Sequence, residues 1–344
     1  MALDIAKSEN EFISYLIGMQ KIDSHAHIGN NHSAEMLFRM LESVNMRWLA
    51  VCYGASRWEE LLGQLKNSRK LHETYPDRFA WVTSFNLTNW GSPAWRTEAL
   101  EMLRESFAAG AIAVKVWKEI GMSLQDPGSS YVMIDDPRFD PVFDFIRSQN
   151  KTLIAHIGEP KDCWLPLEQM LVEGDRDYYR AHPWEHCYGK NEIPDYWKQV
   201  KAMDRVVERH PGLRVVRCHL ASLEFDIDEL KARLNKCPNM AVDLASRINH
   251  LQIQDREKVR GFFLEYQDRI LYATDIEPVS KDIIGYEEEL QGARDTYIRD
   301  LIYFATDWEM EFPGVKALVR GLGLPVEVLE KIFYINAKNW YPGI

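Results

Sequence analysis

KIDSHAHIG, residues 21–29, is the first of eight short runs that read as strands. RWLAVCYG (47–54), FAWVTSFNL (79–87), AIAVKVW (111–117) and KTLIAHIG (151–158) follow, then LRVVRCHLAS (213–222), NMAVDLAS (239–246) and RILYATD (269–275). Amphipathic segments lie between them, at 34–45, 58–74, 94–109, 138–149, 196–209 and 224–235. A strand followed by a helix, repeated, is the signature of βα units with parallel strands. Eight such units in about 250 residues, with insertions, predict an α/β fold, a closed (β/α)8 TIM barrel forming one domain over 1–344. The first 20 residues read as a helix added before the first strand. Long loops follow strands 4, 5 and 8; the first two span 118–137 and 159–195. The main alternative is an open doubly wound sheet, which the lack of a GxGxxG after an early strand weakens in its dinucleotide-binding form.

The composition narrows the function. The formal net charge is −11, which disfavours nucleic acid, since phosphate binding needs a basic face. No stretch approaches the roughly 18 apolar residues of a membrane span. The N-terminus carries Asp4, Glu9 and Glu11 and no apolar segment of signal-peptide length. Cys52, Cys163, Cys187, Cys218 and Cys237 are odd in number, with no CxxC pair. Reduced thiols in a cytoplasmic chain are expected. A homodimer is the default expectation for such an enzyme.

The chemistry begins at His25-Ala26-His27. Residues i and i+2 of a strand point to one side, so two imidazoles project together from the end of the first strand. That pair suits a borderline metal such as zinc, although a chance HxH on a surface strand has the same spacing. Four more polar residues sit at or near strand ends: Lys115 on the fourth, His156 on the fifth, His219 on the sixth and Asp275 on the eighth. In a closed barrel these ends meet at one mouth, where catalytic residues sit. Alternation puts Ala111, Ala113 and Lys115 on one face, Thr152, Ile154 and His156 on another, and Leu271, Ala273 and Asp275 on a third. In the sixth strand Arg217 shares a face with His219, which places a charge one layer below the site, beside an unnamed acidic partner.

This pattern resembles the amidohydrolase superfamily, most of all the branch related to aminocarboxymuconate semialdehyde decarboxylase. The resemblance runs through IDSHAHIG (22–29), GAIAVKVW (110–117), LIAHIGEP (153–160), HPGLRVVRCHLAS (210–222), DRILYATDIEP (268–278) and IFYINAKNWYPGI (332–344). It implies that His25, His27, His156 and Asp275 are metal ligands for one divalent ion, expected to be Zn2+. It also implies that His219 stands beside the metal and handles protons. In two-metal relatives that His binds a second ion and the fourth-strand Lys is carboxylated. Lys115 is therefore either a carboxylated bridge, an attractor of substrate carboxylates, or a partner of a neighbouring acid.

The expected reaction is hydrolysis of an amide, ester or lactone by metal-activated water, with Asp275 and His219 as the catalytic residues. Decarboxylation of an unsaturated or aromatic acid is the alternative, and a barrel that only binds is the remote one. The substrate is expected to be a small molecule, with carboxylates as candidates. Lys115, Trp117, Glu159 and Arg247 are the substrate-binding candidates. His182 and His186 read as solvated loop residues, and His32, His72, His210 and His250 as structural or surface ones. Trp164, Tyr178, Tyr179, Trp184 and Tyr188 either wall a pocket or fold their loop onto the barrel.

Overall fold

The computed structural model describes residues 2–29 and 33–344; His32 lies outside them. Eight parallel strands run in sequence order around one sheet. They are β1 (Lys21–Ala26), β2 (Met46–Ala50), β3 (Phe79–Thr83), β4 (Ala113–Val116), β5 (Thr152–Ala155), β6 (Arg214–Arg217), β7 (Met240–Asp243) and β8 (Ile270–Leu271). Backbone bonds from Ser24 N to Tyr272 O (3.0 Å) and from Asp275 N to His25 O (2.8 Å) join the last strand to the first. That closes the sheet and removes its edges.

The helices follow the expected punctuation. They are α1 (Ala2–Gly18), α2 (Ala34–Ser43), α3 (Trp58–Thr74), α4 (Trp95–Ala108), the single turn α5 (Glu119–Met122), α6 (Asp140–Ser148) and α7 (Glu173–Ala181). Then come α8 (Tyr196–Arg209), α9 (Ile227–Lys236), α10 (Ile248–Gln252), α11 (Arg256–Glu265), α12 (Ile283–Ala305), α13 (Val326–Glu330) and α14 (Asn336–Trp340). Ser33, Asp195, Asp226, Asp255 and Asp282 cap α2, α8, α9, α11 and α12 by accepting a backbone N–H of the first turn. An antiparallel hairpin, β9 (Glu309–Phe312) with β10 (Val315–Arg320), follows α12 and lies outside the eight strand runs read in the sequence.

Two layers of side chains make the core. Inside the barrel, Ile22, Leu49, Ala80, Ala113, Ile154, Val216, Ala241 and Leu271 pack together. Ala337, Trp340, Tyr341 and Ile344, in and beyond α14, join this cluster and close its floor. Outside, Val114, Val116, Leu153 and Val215 face the helices. The barrel is thus packed rather than hollow, and its polar chemistry is confined to the mouth.

One expected facing is wrong. Arg217 does not lie below the site. It points outward, donating to Asp204 of α8, which also takes Arg233 of α9 at 3.0 Å. Val216 of β6 and Cys218, just past it, face inward. Alternation fails after Cys218 because His219, Leu220, Ala221 and Ser222 all adopt positive φ, between 54° and 62°. The left-handed turn swings His219 back into the mouth.

The insert between β5 and α8 holds two short 3-10 turns, Lys161–Trp164 and Leu167–Gln169, and then α7. Cys163, Met170, Tyr179 and Cys187 give it a small core of its own. Trp184, Tyr188 and Tyr178 are exposed.

Candidate metal centre at the barrel mouth

His25 and His27 reach the mouth through a defect in β1. Asp23 pairs with Trp48 and Ala26 with Ala50, so β1 carries one extra residue between them. Such a bulge re-aims a side chain. Ile22 and His25 therefore both face inward, three residues apart.

Each imidazole is fixed through Nδ1. His25 Nδ1 donates to Asp243 Oδ2 at 2.9 Å, and His27 Nδ1 to Val51 O at 2.6 Å. With the protons there, both Nε2 atoms present lone pairs, the arrangement that metal-ligating histidines adopt. These nitrogens converge on Asp275 Oδ1, at 3.3 and 3.0 Å. Burial lowers the pKa of His25, and Lys115 lowers it further against the pull of Asp243 and Asp275, so the ring stays neutral. Burial pushes the Asp275 carboxyl up, but His219, His25 and His27 outweigh it and hold it well below the usual range. Lone pairs facing a carboxylate at 3 Å repel one another unless a proton or a cation lies among them, and Lys115 Nζ lies 3.2 Å from His25 Nε2.

His219 and His156 extend the group. His219, His25 and Asp275 each place one ligand-type atom so that the three lie within 4.8 Å of one another. His219 Nδ1 donates to Ala245 O at 2.9 Å, and its backbone N–H to Asp243 Oδ1 at 2.7 Å. Its Nε2 must then accept, and His156 Nδ1 is the donor, 3.0 Å away. That leaves His156 Nε2 unprotonated, buried and without a partner. Burial and the neighbouring His219 hold His156 well below the ordinary imidazole range. Burial likewise takes His219 down to about 3, with Asp275 opposing and Arg247 assisting. A buried nitrogen lone pair that accepts no hydrogen bond is one that a cation or a water can take. The donor set fits a divalent metal.

Three supports escaped the sequence analysis. Asp243 ends β7 and is fully buried; burial raises its carboxyl, but the contacts with His25 and His219 win and bring it to about 2. Ser246 Oγ donates to Asp275 Oδ2 at 3.1 Å. Cys218 Sγ lies 3.1 Å from Lys115 Nζ. The only cue to Asp243 is its place as the last residue of a buried strand.

Lys115 is buried, and its Nζ lies 3.2 Å from His25 Nε2. Trp117 stands at the rim, its ring 6.5 Å from His156 and 5.5 Å from Tyr53. Glu159 is ion-paired with Lys118. Arg247 is buried; its Nη1 donates to Ser246 O at 2.9 Å, and its Nε makes no hydrogen bond but lies 4.0 Å from Glu224 Oε2. His182 and His186 bond to Tyr178 O and Leu165 O within the insert. His72 and His210 bond to Phe79 O and Asp140, as structural residues do.

An eight-stranded parallel barrel with histidines and a carboxylate gathered at its carboxyl-end mouth defines a class of metal-site barrels. Residues 87–343 match the Amidohydrolase family, and the chain belongs to it. No curated protein sequence matches the chain. Among solved structures, an amidohydrolase II is similar over 94% of this chain and 99% of its own, with 15% identity and a TM-score of 0.57. A 4-oxalomesaconate hydratase from Rhodopseudomonas palustris matches over 94% and 96%, with 11% identity and a TM-score of 0.49. A 5-carboxyvanillate decarboxylase from Novosphingobium aromaticivorans, with bound manganese, matches over 94% and 97%, with 12% identity and a TM-score of 0.48. Among the described residues, no helix is long and apolar enough to cross a membrane.

Proposed function

We propose that this chain hydrolyses a small-molecule amide, ester or lactone with one divalent ion, Zn2+, held by His25, His27, His156 and Asp275. The observation behind this reading is the meeting of the His25 and His27 Nε2 atoms at Asp275 Oδ1, together with a buried His156 Nε2 that makes no hydrogen bond. A divalent ion held there would acidify water and polarise a carbonyl oxygen. Asp275 stays ionised, is steadied by Ser246, and takes the proton that the attacking water releases. His219, neutral and held through Ala245 O, relays a proton through the Nε2 that accepts from His156 Nδ1. Trp117 and Tyr53 form an apolar wall, and Arg247 offers a donor for a substrate carboxylate.

Arg247, whose Nε makes no hydrogen bond and lies 4.0 Å from Glu224 Oε2, equally suits an acid that loses CO2, so a decarboxylase is the second reading. The test compares metal content by plasma mass spectrometry in chelator-free protein and in His25→Ala/His27→Ala, beside a screen of lactones, esters, amides and unsaturated acids. Loss of about one ion per chain, together with loss of hydrolysis, is expected. Joint loss of about two ions would bring a carboxylated Lys115 into the metal shell. CO2 release without any hydrolysis would replace the first reading by the second. Unchanged metal content in the double variant would sink both.

A further inference from the structure

A second group of ligand-type side chains lies where the insert after β5 meets α10. Asp162 comes from the 3-10 turn Lys161–Trp164, Asp175 from the first turn of α7, and His250 from α10. Each places one donor atom so that the three lie within 4.8 Å of one another. His250 Nε2 and Asp175 Oδ2 are 3.1 Å apart. Two ligands on one zinc, each about 2.1 Å from it, sit at a similar separation in tetrahedral geometry.

The independent observation is the state of Asp162. It is 1% exposed. Its Oδ2 accepts the backbone N–H groups of Leu171 and Val172, both at 2.8 Å. Its Oδ1 is buried and accepts nothing. His250 is 2% exposed, and its Nδ1 is likewise buried without a partner. A protonated His250 would satisfy Asp175 alone and leave Asp162 Oδ1 stranded. A divalent cation would answer both carboxylates, and two Asp with one neutral His carry the charge that balances it. The Asp175 side chain is 20% exposed, which leaves an ion a route in from solvent.

We propose that Asp162, Asp175 and His250 form a second divalent-cation site, structural in role and of zinc type, with water completing its shell. It would reinforce the Asp162 contacts with Leu171 and Val172 and the His250–Asp175 contact, and so pin the insert to α10 directly after Arg247. The site is separate from the one at the mouth, and neither reading depends on the other.

The test uses the full-length His25→Ala/His27→Ala variant, stripped with chelator, dialysed against Zn2+ and desalted. Plasma mass spectrometry should find about one zinc per chain, falling at least tenfold when His250→Ala or Asp162→Asn is added. The insert should also become more sensitive to trypsin at Arg176 and Arg180 once the ion is removed. Absence of retained zinc in the parent variant, with that variant folded by circular dichroism, overturns the proposal while leaving the mouth site intact. If the parent does not fold, His250→Ala in the wild-type chain replaces it. One ion fewer per chain, with turnover retained, supports the site, and unchanged content overturns it.

Discussion

Asp243 acts on two histidines at once. Its Oδ2 accepts from His25 Nδ1, and its Oδ1 accepts the backbone N–H of His219. An amide cannot accept at both atoms, so Asp243→Asn must turn an NH2 toward one of these donors. Metal affinity should fall about 10- to 100-fold, the usual loss when a partner behind a ligand is removed; a zinc competition titration measures it. His219→Asn separates the roles at the mouth. Asn tolerates the positive φ of 59° at this position, so the turn survives. Turnover should drop by about 10²–10⁴, the range for a lost proton-transfer group, while metal content stays near wild type. Loss of the ion instead would make His219 a ligand. The ligand-type residues were legible because His25 and His27 share the end of the first strand, and His156, His219 and Asp275 stand just past the ends of three others. Asp243 and Ser246 were not, because their importance lies in which backbone or carboxylate atom they touch.

At the scale of elements, alternation read the strands well until the backbone left the extended region. It placed Lys115 and Ile154 inside the barrel. It failed at β6 because four left-handed residues in a row, His219–Ser222, have no signature in side-chain pattern. Each costs on the order of 1–2 kcal/mol relative to right-handed backbone. The turn is held by Asp243 on His219 N, by Tyr196 Oη on Ser222 O and by Ser222 Oγ on Ile157 O. Ala221, at φ 62° and 3% exposed, tests this strain. Ala221→Gly removes the Cβ that makes left-handed backbone costly but loosens the unfolded chain, so its stability should change by less than about 1 kcal/mol. Ala221→Val, β-branched at positive φ in a packed site, should lose about 2 kcal/mol or more. Urea unfolding of the pair checks this, and equal losses would mean that packing rather than backbone strain governs the turn. The bulge in β1 is the companion case, an extra residue that sequence spacing cannot reveal. The hairpin β9–β10 was missed because its strands are largely exposed and lack an apolar face to read.

The whole barrel depends on long-range ties between its closing strand and α12. Tyr272, just past β8, donates to Asp300 Oδ2 at 2.9 Å, and Tyr297 donates to Asp23 Oδ2 at 2.8 Å. Burial raises Asp300 to about 7, with the Tyr272 hydrogen bond and Arg299 opposing. The folded molecule therefore keeps this proton up to about pH 7, whereas an unfolded Asp releases it near 4. Across that window the native state binds more protons than the unfolded one. This group's contribution to stability is complete below the unfolded pKa and is lost as pH rises through the folded pKa. The slope approaches about 1.4 kcal/mol per pH unit. Asp300→Asn keeps an acceptor for Tyr272 and removes the titration. Measured against wild type by urea unfolding, its relative stability should improve by about 2–3 kcal/mol between pH 5 and pH 8. Asp23, which burial raises to about 6, titrates in the same window, and its charge helps to raise Asp300. A stability difference independent of pH would show that Asp300 is already ionised in the fold, and that α12 is tied to the barrel by a charged rather than a neutral carboxyl.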